Sequence, residues 1–155
     1  MSHATAQYLT LGLDRETFGI PIAHVQEILD HRPVSTLPQA PAFLLGMIDV
    51  RGRSYPVIDL RTKLGLAPVE PTAATRIILL DVVVNGRPTG IGVVADRVFE
   101  VTALDPGRME EAPEVGGRWR ADYIAGIGRK GEAFVVVFDL ARLMAGDAPA
   151  LRDAA

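Results

Sequence analysis

The stretch YIAGIGRKGEAFVVVFDLARLM (123–144) decides the fold, because it carries a nucleotide-binding string in a setting that contradicts it. GIGRKG at 126–131 has the form G-x-G-x-x-G. That string binds a pyrophosphate only where a strand runs into the glycines and a helix opens from them, so that bare amides and a helix N-terminus face the phosphates. Here the glycines are followed by AFVVVF (133–138), and β-branched and aromatic side chains in a row favour a pleated strand. Gly126, Gly128 and Gly131 are therefore expected to bend the chain between two strands. No cofactor is expected.

Working outward, the same stretch has a counterpart 80 residues upstream, FLLGMIDVRGRSYPVIDLRTKL (43–64), aligned without a gap. Phe43 meets Tyr123, Gly46 meets Gly126, Val57 meets Val137, Asp59 meets Asp139 and Leu60 meets Leu140. VQEI (25–28) is echoed by VFEV (98–101). The reading is two related β lobes, each ending in a V-x-D-L strand. An Asp at that strand-to-helix junction caps the amides of the next turn, a simpler role than a catalytic carboxylate pair.

The rest of the chain fits short strands. YLTLGL alternates and TFGIP returns from it. IAHVQEIL (22–29) places Ile22, Val25, Ile28 and Leu29 at helical spacing, which predicts a short helix. RTKLG adds a helical turn closed by Gly65. LAPVEPTA (66–73) connects the halves, giving approximate lobes 7–66 and 75–146 that could exchange strands. RIILLDVVV (76–84) is a buried strand in which Asp81 either pairs with an arginine or marks an edge. EEAPEVGG (110–117) is a loop, Trp119 closes a lobe, and residues 147–155 form a flexible tail.

Composition excludes several function classes. The 155 residues are 48% hydrophobic and 23% charged with a net charge of −3, which suits one folded domain without a nucleic-acid footprint. No cysteine is present, so disulfides and thiol nucleophiles are excluded. No apolar run approaches the roughly 20 residues of a membrane span, and MSHATAQYLT has no secretory pattern, so a cytoplasmic location is expected. His24, Glu27 and His31 follow an i, i+3, i+7 pattern, but His31 adjoins Arg32 and Pro33, where a helix ends. No fourth ligand stands out, and no metal is expected. No serine, histidine and acid combination argues for a nucleophile, and catalytic residues are not expected.

The first half now carries a recognisable set: Val25-Gln26-Glu27-Ile28, Leu37-Pro38, the run 41–52 and the run 56–61. Together and in order, over roughly residues 7 to 145, these resemble the CheW family of chemotaxis coupling proteins. The resemblance implies an all-β fold of two intertwined, five-stranded SH3-like barrels sharing a core, as one domain over 7–146. It implies a non-enzymatic adaptor in a two-component signalling system, with two partners. These are the regulatory domain of the histidine kinase CheA and the helical cytoplasmic tip of methyl-accepting chemotaxis receptors, which recruit the adaptor to membrane arrays.

The resemblance assigns receptor contact to Val25, Glu27, Ile28 and Arg51 and gives no residue-level kinase interface; Gly46, Gly52, Gly126 and Gly128 are read as structural turn residues, Gly46 and Gly52 at places where a side chain would block a turn or a close approach. One departure stands out. The family's usual Asn before the hydrophobic-Arg-Gly triplet is Asp49, which accepts but cannot donate. Buried, it would need Arg51 or Arg53; exposed, it would alter a partner contact. Two other readings remain: the same scaffold in a surface-sensing or pilus-motility pathway, and a small ligand-binding β-barrel.

Overall fold

A computed structural model describes residues 6–110 and 123–145. Ten strands and two short helices follow in chain order. The first hairpin is β1 (Gln7–Leu13) and β2 (Glu16–Pro21), then a single 3-10 turn (Ile22–His24) leads into β3 (Val25–Asp30). A second hairpin, β4 (Leu44–Val50) and β5 (Arg53–Asp59), runs into α1 (Leu60–Lys63). β6 (Arg76–Val84), β7 (Arg87–Ala95) and β8 (Arg97–Ala103) follow. The hairpin β9 (Ile124–Lys130) and β10 (Ala133–Phe138) ends in α2 (Leu140–Ala145).

The strands form two five-stranded sheets ordered β8-β1-β2-β10-β9 and β3-β6-β7-β5-β4. Each sheet takes strands from both sides of the connection 66–73. The orders correspond strand for strand, with β1, β2, β8, β9 and β10 matching β6, β7, β3, β4 and β5. Each sheet also contains one parallel pair, β10 with β2 and β5 with β7.

The 80-residue repeat is followed to single hydrogen bonds. Leu44 faces Ile58 across the first hairpin and Ile124 faces Phe138 across the second, each beside a register shift. Asp59 N–H donates to Phe43 O and Asp139 N–H to Tyr123 O, both at 2.8 Å. The Asp59 carboxylate accepts from Arg61 N–H at 3.1 Å, and Asp139 from Arg142 N–H at 3.1 Å, so both acids cap the turns that follow them.

A large shared core joins the sheets. Leu9, Leu11, Phe18 and Ile20 from one pack with Ile78, Leu80, Ile91 and Val93 from the other, and the Phe18 and Phe138 rings stack at 5.0 Å. A smaller cluster of Ile48, Tyr55, Val57, Ile77 and Leu79 fills the concave side of the second sheet. Along β6, then, Ile78 and Leu80 face the shared core while Ile77 and Leu79 face the other way, as period-2 alternation requires.

The predicted helix over 22–29 is not formed. After the 3-10 turn, residues 25–30 pair with β6, Val25 opposite Leu80 and Asp30 opposite Arg76. A ladder against a buried strand outweighs the local period of eight residues. The string GIGRKG also takes its place: Gly126 and Gly128 lie inside β9, the chain turns at Gly131 (φ +62), and β10 follows instead of a helix.

Candidate partner-binding surface

β3 carries one extra residue between Val25 and Glu27 relative to β6. Such a bulge moves later side chains to the opposite face. Val25 stands opposite Leu80 and Ile28 opposite Ile78, so both project to the shared-core side. Val25 is half-buried against that core, whereas Ile28 extends the same face outward and is 40% exposed. Glu27, opposite Leu79, turns to the concave side of its own sheet.

β8 repeats this arrangement at the edge of the other sheet. Val98 pairs with Leu11 and Val101 with Leu9, again with an extra residue in the edge strand. Val98 packs on the shared core and Val101 is exposed. The echo of VQEI in VFEV is thus a structural one: two bulged edge strands present matched apolar pairs beside the shared core. Val98 and Val101 belong with Val25 and Ile28, although sequence reading noted only the echo.

Arg51 lies at the tip of the β4–β5 hairpin. It and Gly52 both have positive φ, +51 and +81, as a type I′ turn requires. The guanidinium forks onto Glu27: Nη1 donates to Oε2 at 3.2 Å and Nη2 to Oε1. The hydrogen bond from Arg51 holds the Glu27 carboxyl below its ordinary range, with Arg32 adding a smaller pull, and Glu27 raises Arg51 in turn. The pair is open to water, Arg51 being 73% exposed.

Around it, Arg32 donates to Asp49 O at 3.2 Å and Tyr55 Oη to Gln26 Oε1 at 3.1 Å. Arg53 lies over the Tyr55 ring and reaches Asp81 at 3.3 Å, so Asp81 takes an arginine partner. The Arg51–Glu27 fork, the Arg32–Asp49 hydrogen bond and the Ser35–Met47 backbone pair at 2.9 and 2.8 Å link β3 and the segment after it to β4 and its turn, although β3 and β4 stand at opposite edges of one sheet. Asp49 is exposed, and its carboxylate accepts from Ser54 Oγ at 2.5 Å.

Of the four glycines given turn roles, only Gly52 stands in a turn. Gly46, Gly126 and Gly128 are strand residues kept bare by close neighbours. A Cβ on Gly46 would run into Ser35 O; on Gly126 it would lie 2.9 Å from Met109 Sδ and on Gly128 2.6 Å from Leu104 Cδ1. His24, Glu27 and His31 make no metal-holding group, and no such group of three or more is found among the described residues. With 22–29 not helical, their spacing no longer brings them to one face. Trp119 and residues 111–117 and 147–155 lie outside the described residues.

No helix among the described residues is long and apolar enough to cross a membrane. A family model, the CheW-like domain, matches residues 7–148. A chemotaxis protein CheW from Klebsiella aerogenes is 31% identical over 95% of this chain and 86% of its own length. One from Treponema pallidum is 28% identical over 88% and 81%. The crystal structure of the scaffolding protein TtCheW from Thermoanaerobacter tengcongensis superposes with a TM-score of 0.81 at 25% identity, covering 92% of this chain and 90% of that one. The repeat, the two exchanged sheets and these matches give one conclusion: the chain belongs to the CheW family of non-enzymatic chemotaxis scaffold proteins.

Proposed function

We propose that the apolar seam beside the shared core receives the helical tip of a chemoreceptor, with Arg51 and Glu27 as the polar contact at its margin. The protein is an adaptor coupling receptors to the kinase CheA. It acts by holding partners, in the cytoplasm, in a geometry where receptor state changes kinase activity. A helical hairpin needs apolar walls to bury its own apolar stripe. Ile28 and Val101 offer such side chains, while Val25 and Val98 anchor the two walls to the core. The regulatory domain of CheA binds on a separate surface. Each contact is of modest size, about 1,000–1,600 Å² in total, and array avidity supplies the rest.

The observation that carries this reading is Ile28. An exposed isoleucine on an edge strand contributes little to the monomer and much to a partner that covers it. Arg51 adds a second support. It stands exposed at the hairpin tip, at a φ of +51 that glycine would meet more easily, and its guanidinium reaches Glu27 on β3. The test is a titration of a soluble receptor-tip fragment into wild type, Ile28→Asp and Arg51→Glu. Both variants should keep their melting curves and lose affinity. Unchanged affinity in both would remove the seam from the receptor site.

A further inference from the structure

Among the described residues Arg61 is the one buried charged side chain, 5% exposed. It is the second residue of α1, attached to the sheet β3-β6-β7-β5-β4. Its guanidinium is shared among three segments. Nη2 meets Asp14 Oδ1 at 2.5 Å, Nη1 meets Asp96 Oδ2 at 2.6 Å, and Nε donates to Ala67 O at 2.7 Å. Asp14 is at the tip of the β1–β2 hairpin of the other sheet. Asp96 is the joint at which the chain leaves β7 in one sheet and enters β8 in the other.

The cluster continues into β8. Asp14 N–H donates to Asp96 Oδ2 at 2.9 Å, Asp96 N–H to Gly12 O at 3.1 Å, and Arg97 Nη2 to Asp14 O at 2.6 Å. A guanidinium seated in α1 of one sheet thus fixes the first residues of β8 in the other. One residue beyond Arg97 comes Val98, and then Val101. The second half-repeat does without such a cluster, since its equivalent residue is Ala141.

We propose that Arg61 is a positioning residue for receptor binding: it sets the placement of β8, and so of Val98 and Val101, relative to the sheet that carries Val25 and Ile28. The inference rests on the seam being the receptor site. Lysine keeps the charge at this position but cannot bridge two carboxylates and a carbonyl with one rigid fork. Coupling carried through such a two-sheet contact has the size of a several-fold change in affinity.

The test uses the full chain as wild type, Arg61→Lys and Asp14→Asn. The relative orientation of the two sheets is read from residual dipolar couplings. Affinities are read separately for a receptor-tip fragment and for the CheA regulatory domain. We expect a changed orientation, shifted amide resonances at Val98 and Val101, and receptor affinity reduced about five- to tenfold with kinase-domain affinity retained. An unchanged orientation in both variants overturns the proposal, as does a changed orientation with full receptor affinity. Equal loss for both partners, in step with melting temperature, would make Arg61 merely structural and overturns it too. If wild type fails to bind the fragment, or Val101→Asp binds it normally, the seam reading itself has failed; that result is distinct from the orientation measurement.

Discussion

The unit β4-β5-α1 and the unit β9-β10-α2 share a register, a bulge and a capping acid, yet differ at two telling places. The positive-φ position of the hairpin turn holds Arg51 in the first and Gly131 in the second, at φ +51 and +62. The residue after the V-x-D-L capping strand holds a buried Arg61 in the first and Ala141 in the second. Glycine and alanine are the less costly choices at these places, the one for a left-handed backbone and the other for a helix. The first unit thus carries two arginines that its twin folds without. The grooves beside them differ as well. The one at Arg61, covered by the connection through Pro68 and Val69, measures about 220 Å³, and the one at Ala141, bordered by Val83 and Phe138, about 460 Å³. At these two places the first unit carries charges that tie strands to each other, and the second carries none.

The most disruptive way to break this comparison is Arg61→Met. It strands Asp14 and Asp96 beside each other in a half-buried site, and should cost about 3 kcal/mol, read as a lower urea midpoint. Loss of a few tenths of a kcal/mol instead would make the cluster a surface feature. Next comes a matched pair of glycines. Gly46→Ala pushes a methyl into the backbone at Ser35 and should cost about 2 kcal/mol. Gly126→Ala meets mainly the flexible Met109 side chain and should cost clearly less. Equal costs would show that the two hairpins are supported alike.

Arg51→Gly converts the first turn toward the second. The melting curve should change little, since relief of the backbone offsets the lost exposed pair and the looser unfolded chain. Receptor affinity should nevertheless fall, and a variant that binds as well as wild type would remove Arg51 from the site.

The smallest effect concerns Glu27. Its depressed carboxyl contributes stability that is present above the unfolded value, about 4.3, and lost as pH falls through the lower folded value. In an NMR titration its midpoint should lie below that of a free glutamate and rise toward it in Arg51→Ala. No movement would mean that the fork does not persist in solution.

Much of the fold was legible because the repeat is a strand-level one. The offset of 80 aligned residues that do occupy matching hydrogen bonds, and the V-x-D-L acids do cap their turns. The misread helix has a physical cause. A bulge in β3 puts Val25 and Ile28 on one face at a separation of three, which is also a helical separation, so the sequence pattern fits both. The shared face was therefore right and the element wrong. The glycines of β4 and β9 were misplaced because what keeps them bare comes from residues 35, 104 and 109, distant in sequence. Arg61 was invisible for the same reason, since its two acids stand 47 residues before it and 35 after it. Candidate partner residues came from family resemblance, and only the register of β8 against β1 added Val98 and Val101.

The most direct test of the central claim is a calorimetric titration of a receptor-tip fragment into wild type and Ile28→Asp, with the CheA regulatory domain titrated into both. Saturable receptor binding by wild type, lost in Ile28→Asp while kinase-domain binding survives, is the predicted result. Equal receptor binding by the two proteins would contradict it and move the receptor site away from the seam.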